Sequence, residues 1–159
     1  MTTPVTDLCD AHGDAVQVAG PMFDDYGGRR RFEGPATTVR CFEDNALVRE
    51  TLEMAGDGGV LVVDGGGSMR CALLGDNLAA MAVSNGWSAI VVYGCVRDTA
   101  AIGALDLGVR ALNRHPRKSV KRGEGQRDVG VVVAGVTVEP RNWVYADEDG
   151  LIVSETRLA

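Results

Sequence analysis

The chain has 159 residues, 45% apolar and only 5% aromatic, with 21 Gly and a formal net charge of -6. That length suits one domain spanning 1–159 with a single sizeable core, and the glycine content favours a turn-rich, sheet-containing fold over a helical bundle. No apolar run is long enough to span a bilayer, the first residues show neither a basic region nor an apolar core, and Cys9, Cys41, Cys71 and Cys95 form no C-x-x-C pair; the expectation is a cytoplasmic protein with reduced thiols and no zinc ribbon.

In chain order, Thr6 ahead of Asp7-Leu8-Cys9-Asp10-Ala11 predicts a short capped helix. Residues 21–31 are turn-rich, and residues 37–42 are strand-like. Asp44 or Asn45 then caps a helix running to about Met54, stopped by Gly56-Asp57-Gly58-Gly59. Val60-Leu61-Val62-Val63 reads as a buried strand closed by Asp64-Gly65-Gly66-Gly67. Residues 76–85 read as a helix with Leu78, Met81 and Ala82 on its apolar stripe, and residues 89–93 as a second buried strand. Together these form a βαβ unit with parallel strands. A short helical turn follows Asp98, then a strand at 108–112, a polar loop at 116–128, a strand at 130–138, and two more at 142–146 and 151–154. The class is therefore α/β, a parallel βαβ unit followed by a β-rich C-terminal part.

The chemistry concentrates at Asp76, then twenty residues, then Arg97-Asp98. In open α/β sheets ligands sit outside the carboxyl ends of parallel strands, where Arg97-Asp98 falls. Backbone N–H groups of Gly75, Asp76, Asn77 and Leu78 at a helix start suit a substrate carboxylate. Arg97 suits the same carboxylate or an oxyanion forming beside it. Asp98 suits a hard divalent cation, Mg²⁺ or Mn²⁺, which takes oxygen ligands and keeps several waters; Asp76 suits one of those waters. Such a set would stabilise the enolate of a 2-oxo acid. The same residues also read as two helix caps and an ion-paired Arg, and spacing leaves both readings open.

Other signals are weaker. Asp64-Gly65-Gly66-Gly67-Ser68-Met69-Arg70 fails the dinucleotide fingerprint, because its third glycine position is Arg70, and it reads as a tight turn. His12 and His115 stand 103 residues apart on segments that look peripheral, which gives no support to a His metal centre or a Ser-His-Asp triad. Between Arg110 and Arg127 lie seven Arg or Lys and one Glu, a local +6 that leaves -12 on the rest. With no interleaved aromatics, this strip reads as a solvated loop or a subunit contact rather than a direct nucleic-acid site.

Several motifs resemble a known family, the RraA-like proteins, which include 4-hydroxy-4-methyl-2-oxoglutarate aldolases. They are Leu8-Cys9-Asp10, Phe32-x-Gly34-Pro35, Thr38-Val39-Arg40-Cys41-Phe42-Glu43-Asp44-Asn45, and Val60-Leu61-Val62-Val63-Asp64-Gly65-Gly66-Gly67-Ser68. Gly75-Asp76, Asn85-Gly86-Trp87, Gly94-x-Val96-Arg97-Asp98 and Tyr145-Ala146-Asp147-x-x-Gly150-Leu151-Ile152-Val153 follow in order. The resemblance implies a compact domain of the β/β/α swivelling type, assembled as a homotrimer. It implies Asp98 as metal ligand, Arg97 as contact to the substrate oxygens, and the amides of Gly75, Asp76, Asn77 and Leu78 as holders of the pyruvate carboxylate. The implied activities are metal-dependent retro-aldol cleavage and oxaloacetate decarboxylation, both through a pyruvate enolate. Some members instead bind and restrain the endoribonuclease RNase E. A methyltransferase using S-adenosylmethionine, a label the family has carried, is disfavoured by the failed glycine fingerprint.

Overall fold

The computed structural model describes residues 1–158. The elements are α1 (Val5–His12), a 3-10 turn (Gly13–Ala15), β1 (Val16–Val18), β2 (Asp24–Asp25), β3 (Phe32–Arg40), α2 (Ala46–Leu52), β4 (Val60–Asp64), β5 (Ala72–Leu74), α3 (Asp76–Ser84), β6 (Ala89–Val96), α4 (Thr99–Gly103), β7 (Gly108–Arg114), β8 (Gln126–Arg127), β9 (Val131–Val133), β10 (Val136–Val138), β11 (Trp143–Asp147) and β12 (Gly150–Ser154). A mixed sheet runs β1-β12-β11-β3-β4-β6-β7-β2, with β5 added on β6 and β8 on β3. Its centre, β3, β4, β6 and β7, is parallel, and β11 joins β3 antiparallel.

The continuous apolar run of β4 follows from burial on both faces. Leu61 and Val63 face Val48, Leu52, Leu78 and Ala82 on the helical side. Val60 and Val62 face Val131, Val133, Val136 and Val138 of the β9–β10 hairpin on the other. All four β4 valine and leucine side chains are at most 1% exposed. The layers are thus helices, central sheet and hairpin. A third cluster packs Val5 and Leu8 of α1 on Tyr145 and Ile152.

Four local expectations change. The first helix starts at Val5, not after Thr6: Pro4 takes the N-cap position and the buried Asp147 carboxylate accepts the Val5 N–H at 2.8 Å. The second helix ends at Leu52, with Asn45 at its N-cap and Asp44 supplying the side-chain acceptor, Ala46 N–H to Oδ1 at 3.0 Å. The valine-rich stretch 130–138 is a hairpin rather than one strand. Ala134 (φ 47°) and Gly135 (φ 80°) turn it, the two positive φ values of a type I′ turn. Finally, β5 stands directly before α3. It pairs parallel with the end of β6, Leu74 opposite Val96, while β4 pairs with the start of that strand, Val60 opposite Ala89.

Candidate functional site

The short β5–β6 pairing brings Asp76 to Arg97-Asp98. Arg97 N–H donates to the Leu74 carbonyl at 2.9 Å, so the chain leaving β5 into α3 and the chain leaving β6 into α4 run side by side. Gly75 is the N-cap of α3 and Asp76 its first helical residue. Neither carboxylate acts as the side-chain cap of its own helix. Asp98, in the left-handed region at φ 57° and ψ 41°, turns its carboxylate across to the other helix. Its Oδ2 accepts the Asp76 N–H at 3.2 Å. The anion therefore lies against the first turn of α3, where N–H groups lack intrahelical partners and the helix dipole favours negative charge.

Gly75 makes this approach sterically possible. Its φ of -127° is open to any residue, but a Cβ there would lie 2.8 Å from Asp98 Oδ2 and 3.5 Å from Arg97 Nε. Arg97 is half-buried and forms no ion pair among the described residues; its Nη1 reaches only the Pro116 carbonyl, at 3.5 Å. The reading of Arg97 as a carboxylate-paired structural residue does not describe this geometry.

A cavity of about 120 Å³ opens here, room for several waters. Gly75, Asp76, Asn77, Leu78, Arg97 and Asp98 all line it, so the structure brings together every residue singled out in the sequence. It adds Asn45, Arg49, Lys118, Ser119 and Lys121, none of which the motif indicated. Arg49 is paired with Glu53 at 3.1 Å. The basic strip, expected to be a solvated loop or a subunit contact, is in part a wall of this site. Its segment 117–124 is tied down at both ends. Ala72 N–H donates to the Arg117 carbonyl at 2.8 Å, and Asn45 N–H to that of Val120 at 3.3 Å. The buried Asp44 carboxylate accepts Arg122 N–H at 2.9 Å and Glu124 N–H at 3.1 Å. Burial opposes its ionisation, but the donated bonds from Ala46, Glu124, Arg122 and Gly123 prevail, and its pKa falls below the ordinary value.

His115, which looked peripheral, also reaches the site. It lines a second, open hollow of about 370 Å³ with Arg97, Asp98, Thr99 and Arg114. The β6–β7 pairing places it there: Val96 is opposite Arg114, and His115 N–H donates to the Val96 carbonyl at 2.9 Å. His12 lines a hollow with residues 153–158 instead. Cys95, next to the motif, points into the fold at 1% exposure and donates to Met69 Sδ at 3.4 Å. Burial raises its pKa, as it does that of Cys71, and it pushes Cys41 up to about 12. These are packing thiols rather than nucleophiles. The glycine loop is explained by close packing. A Cβ on Gly65 would meet Leu73 at 2.6 Å and the Tyr93 carbonyl at 2.9 Å, and one on Gly66 the Phe42 ring at 2.7 Å.

The donor set for a cation is oxygen only. Among the described residues no group of three or more His, Cys, Asp or Glu is placed to hold a metal ion. The protein would thus offer the exposed Asp98 carboxylate, with Asp76 beside it, and water the remaining ligands. That arrangement fits a strongly hydrated hard ion better than a zinc site.

A protein of Alkalilimnicola ehrlichii named "Putative 4-hydroxy-4-methyl-2-oxoglutarate aldolase" is 61% identical over 158 residues, 99% of this chain and 98% of that protein. Two solved structures superpose with a TM-score of 0.96. One, described as an S-adenosylmethionine:2-dimethylmenaquinone methyltransferase from Geobacillus kaustophilus, is 50% identical and covers 98% of this chain and 97% of its own. The other, described as the RNA-processing inhibitor RraA from Thermus thermophilis, is 46% identical and covers 100% and 96%. The α/β architecture is theirs. With the RraA-like model, Aldolase/RraA, matching residues 5–153, the chain belongs to the RraA-like family.

Proposed function

We propose that the protein is a divalent-metal-dependent lyase acting on 2-oxo acids through a pyruvate enolate. The reactions are retro-aldol cleavage of 4-hydroxy-4-methyl-2-oxoglutarate-type substrates and decarboxylation of oxaloacetate. The aldolase names of close relatives support the reaction class. The observation that carries the reading is the Asp98 carboxylate held against the α3 amides beside an Arg97 with no ion pair among the described residues.

The amides of Gly75, Asn77 and Leu78 take the substrate's C1 carboxylate, while that of Asp76 holds the Asp98 carboxylate. Arg97 donates to the 2-oxo oxygen and stabilises the charge that develops on it. Asp98, with Asp76 on a coordinated water, would hold Mg²⁺ or Mn²⁺, which would supply Lewis-acid polarisation of that oxo group. In the aldol substrate the C3–C4 bond breaks and its electron pair passes into the enolate. The 4-hydroxyl gives its proton to solvent water as the second carbonyl forms. The enolate takes a proton at C3, from solvent water, and two pyruvates result. In oxaloacetate the bond to the C4 carboxylate breaks, releasing CO₂ and the same enolate. A homotrimer belongs to the same reading, and sedimentation velocity tests it: a trimer mass supports it and a monomer opposes it. The direct test of the chemistry is pyruvate release from both substrates with and without Mg²⁺.

A second reading, a regulator that binds and inhibits an RNase E-type endoribonuclease, is favoured by the likeness to the Thermus protein described as an RNA-processing inhibitor. It predicts inhibition of RNA cleavage that survives chelation and Asp98→Ala. Absence of inhibition of the host's own nuclease would dispose of it.

A further inference from the structure

The cavity wall contributed by the basic strip holds a polar group that the pyruvate end of the reaction leaves unused. Ser119 is 6% exposed, its Oγ has no hydrogen-bond partner among the described residues, and it lines the cavity. A buried hydroxyl without a partner is destabilising and uncommon, and a ligand that completes it is a physical reason for keeping one. It is also fixed in place. Ser119 lies between the Arg117 and Val120 carbonyls, which accept from Ala72 and Asn45, and just before the residues gripped by Asp44.

Charge points the same way. Arg49, Arg97, Lys118 and Lys121 line the cavity against only Asp76 and Asp98. A divalent cation would offset the two carboxylates, Arg97 is assigned to the 2-oxo end, and Arg49 is paired with Glu53. Lys118 and Lys121, which flank Ser119, have no carboxylate within ion-pair distance among the described residues. Two ammonium groups and a hydroxyl donor in the lining of one small cavity suit an anion more than a neutral group.

We propose that Ser119, with Lys118 and Lys121, receives a second carboxylate of the substrate and makes the site select 2-oxo dicarboxylates over 2-oxo monocarboxylates. The proposal rests on the 2-oxo acid reading above and adds the residues that set chain length and charge. Ser119 is the specificity-determining residue because its donor is prepositioned, whereas the exposed lysines supply long-range attraction.

The test is calorimetric, with Mg²⁺ present, using 2-oxoglutarate, which lacks the 4-hydroxyl needed for retro-aldol cleavage, and pyruvate as the monocarboxylate. The wild-type protein should bind 2-oxoglutarate at least about tenfold more tightly, and Ser119→Ala should weaken it about tenfold, a difference of about 1.4 kcal/mol. Pyruvate affinity should stay within about twofold. Ser119→Thr, which keeps a hydroxyl, should restore the preference, and the unfolding midpoint of Ser119→Ala should not fall, since no internal bond is removed. Equal weakening of both ligands, or no change in 2-oxoglutarate binding, overturns the assignment. If pyruvate binds and 2-oxoglutarate binds no more tightly, the second-carboxylate receptor alone fails. If neither binds the wild-type protein, the 2-oxo acid reading fails and takes the receptor with it.

Discussion

Replacing Gly75 by Ala separates geometry from charge, because it removes no functional group. The added Cβ would sit 2.8 Å from Asp98 Oδ2, whereas ordinary contact begins near 3.4 Å, so the carboxylate must retreat by about 0.6 Å. It would leave the Asp76 amide, already a long 3.2 Å donor, and carry any cation with it. Misplacement on the scale of 1 Å at a reacting centre costs roughly 10²-fold. A fall of about that size in kcat/KM for Mg²⁺-dependent pyruvate release is expected, with weaker Mg²⁺ binding by calorimetry. Stability should change far less, because Ala in place of Gly at an N-cap costs about 0.5–1 kcal/mol. Wild-type turnover and Mg²⁺ affinity in a folded Gly75→Ala protein would refute the assignment of Asp98 to the cation.

Arg97→Lys keeps the charge but loses the planar fork. It is expected to lower kcat/KM by about 10²-fold or more, about 3 kcal/mol, in steady-state assays. Asp44→Ala is expected to cost about 1–3 kcal/mol by urea unfolding, because it strips a buried acceptor from the Ala46, Arg122 and Glu124 amides. The folded pKa of Asp44 lies below its unfolded value of about 3.9, so its stabilisation is complete above that pH and lost as pH falls through the folded value. The stability gap between wild type and Asp44→Ala should therefore shrink on acidification; a gap independent of pH would contradict the bonding described.

The parallel core and the Asp76, Arg97 and Asp98 constellation could be read from the chain, since burial on both faces writes itself as an unbroken run such as Val60-Leu61-Val62-Val63. The three-residue β5 could not. Ala72-Leu73-Leu74 is too short to show a period, yet its pairing with β6 is what joins the two halves of the site. The β9–β10 hairpin was hidden for a related reason: valines on both sides of Ala134-Gly135 mask a turn that carries no Asn or Asp. The wall of the cavity was hidden by its charge. A run of Arg and Lys looks like a solvated loop, and only the long-range bonds to Ala72, Asp44 and Asn45 show that Lys118, Ser119 and Lys121 close over the motif. The register of β6 against β7, which brings His115 beside Arg97, likewise leaves no local mark in the sequence.

Enolate chemistry at Asp98 and Arg97 can be measured as pyruvate released from oxaloacetate and from 4-hydroxy-4-methyl-2-oxoglutarate by wild type and Asp98→Ala, with Mg²⁺ and with chelator. Mg²⁺-stimulated release by the wild type is expected, abolished by chelation and by Asp98→Ala with the fold intact. Metal-stimulated release that persists in Asp98→Ala, or its absence from the wild type on both substrates, would contradict it.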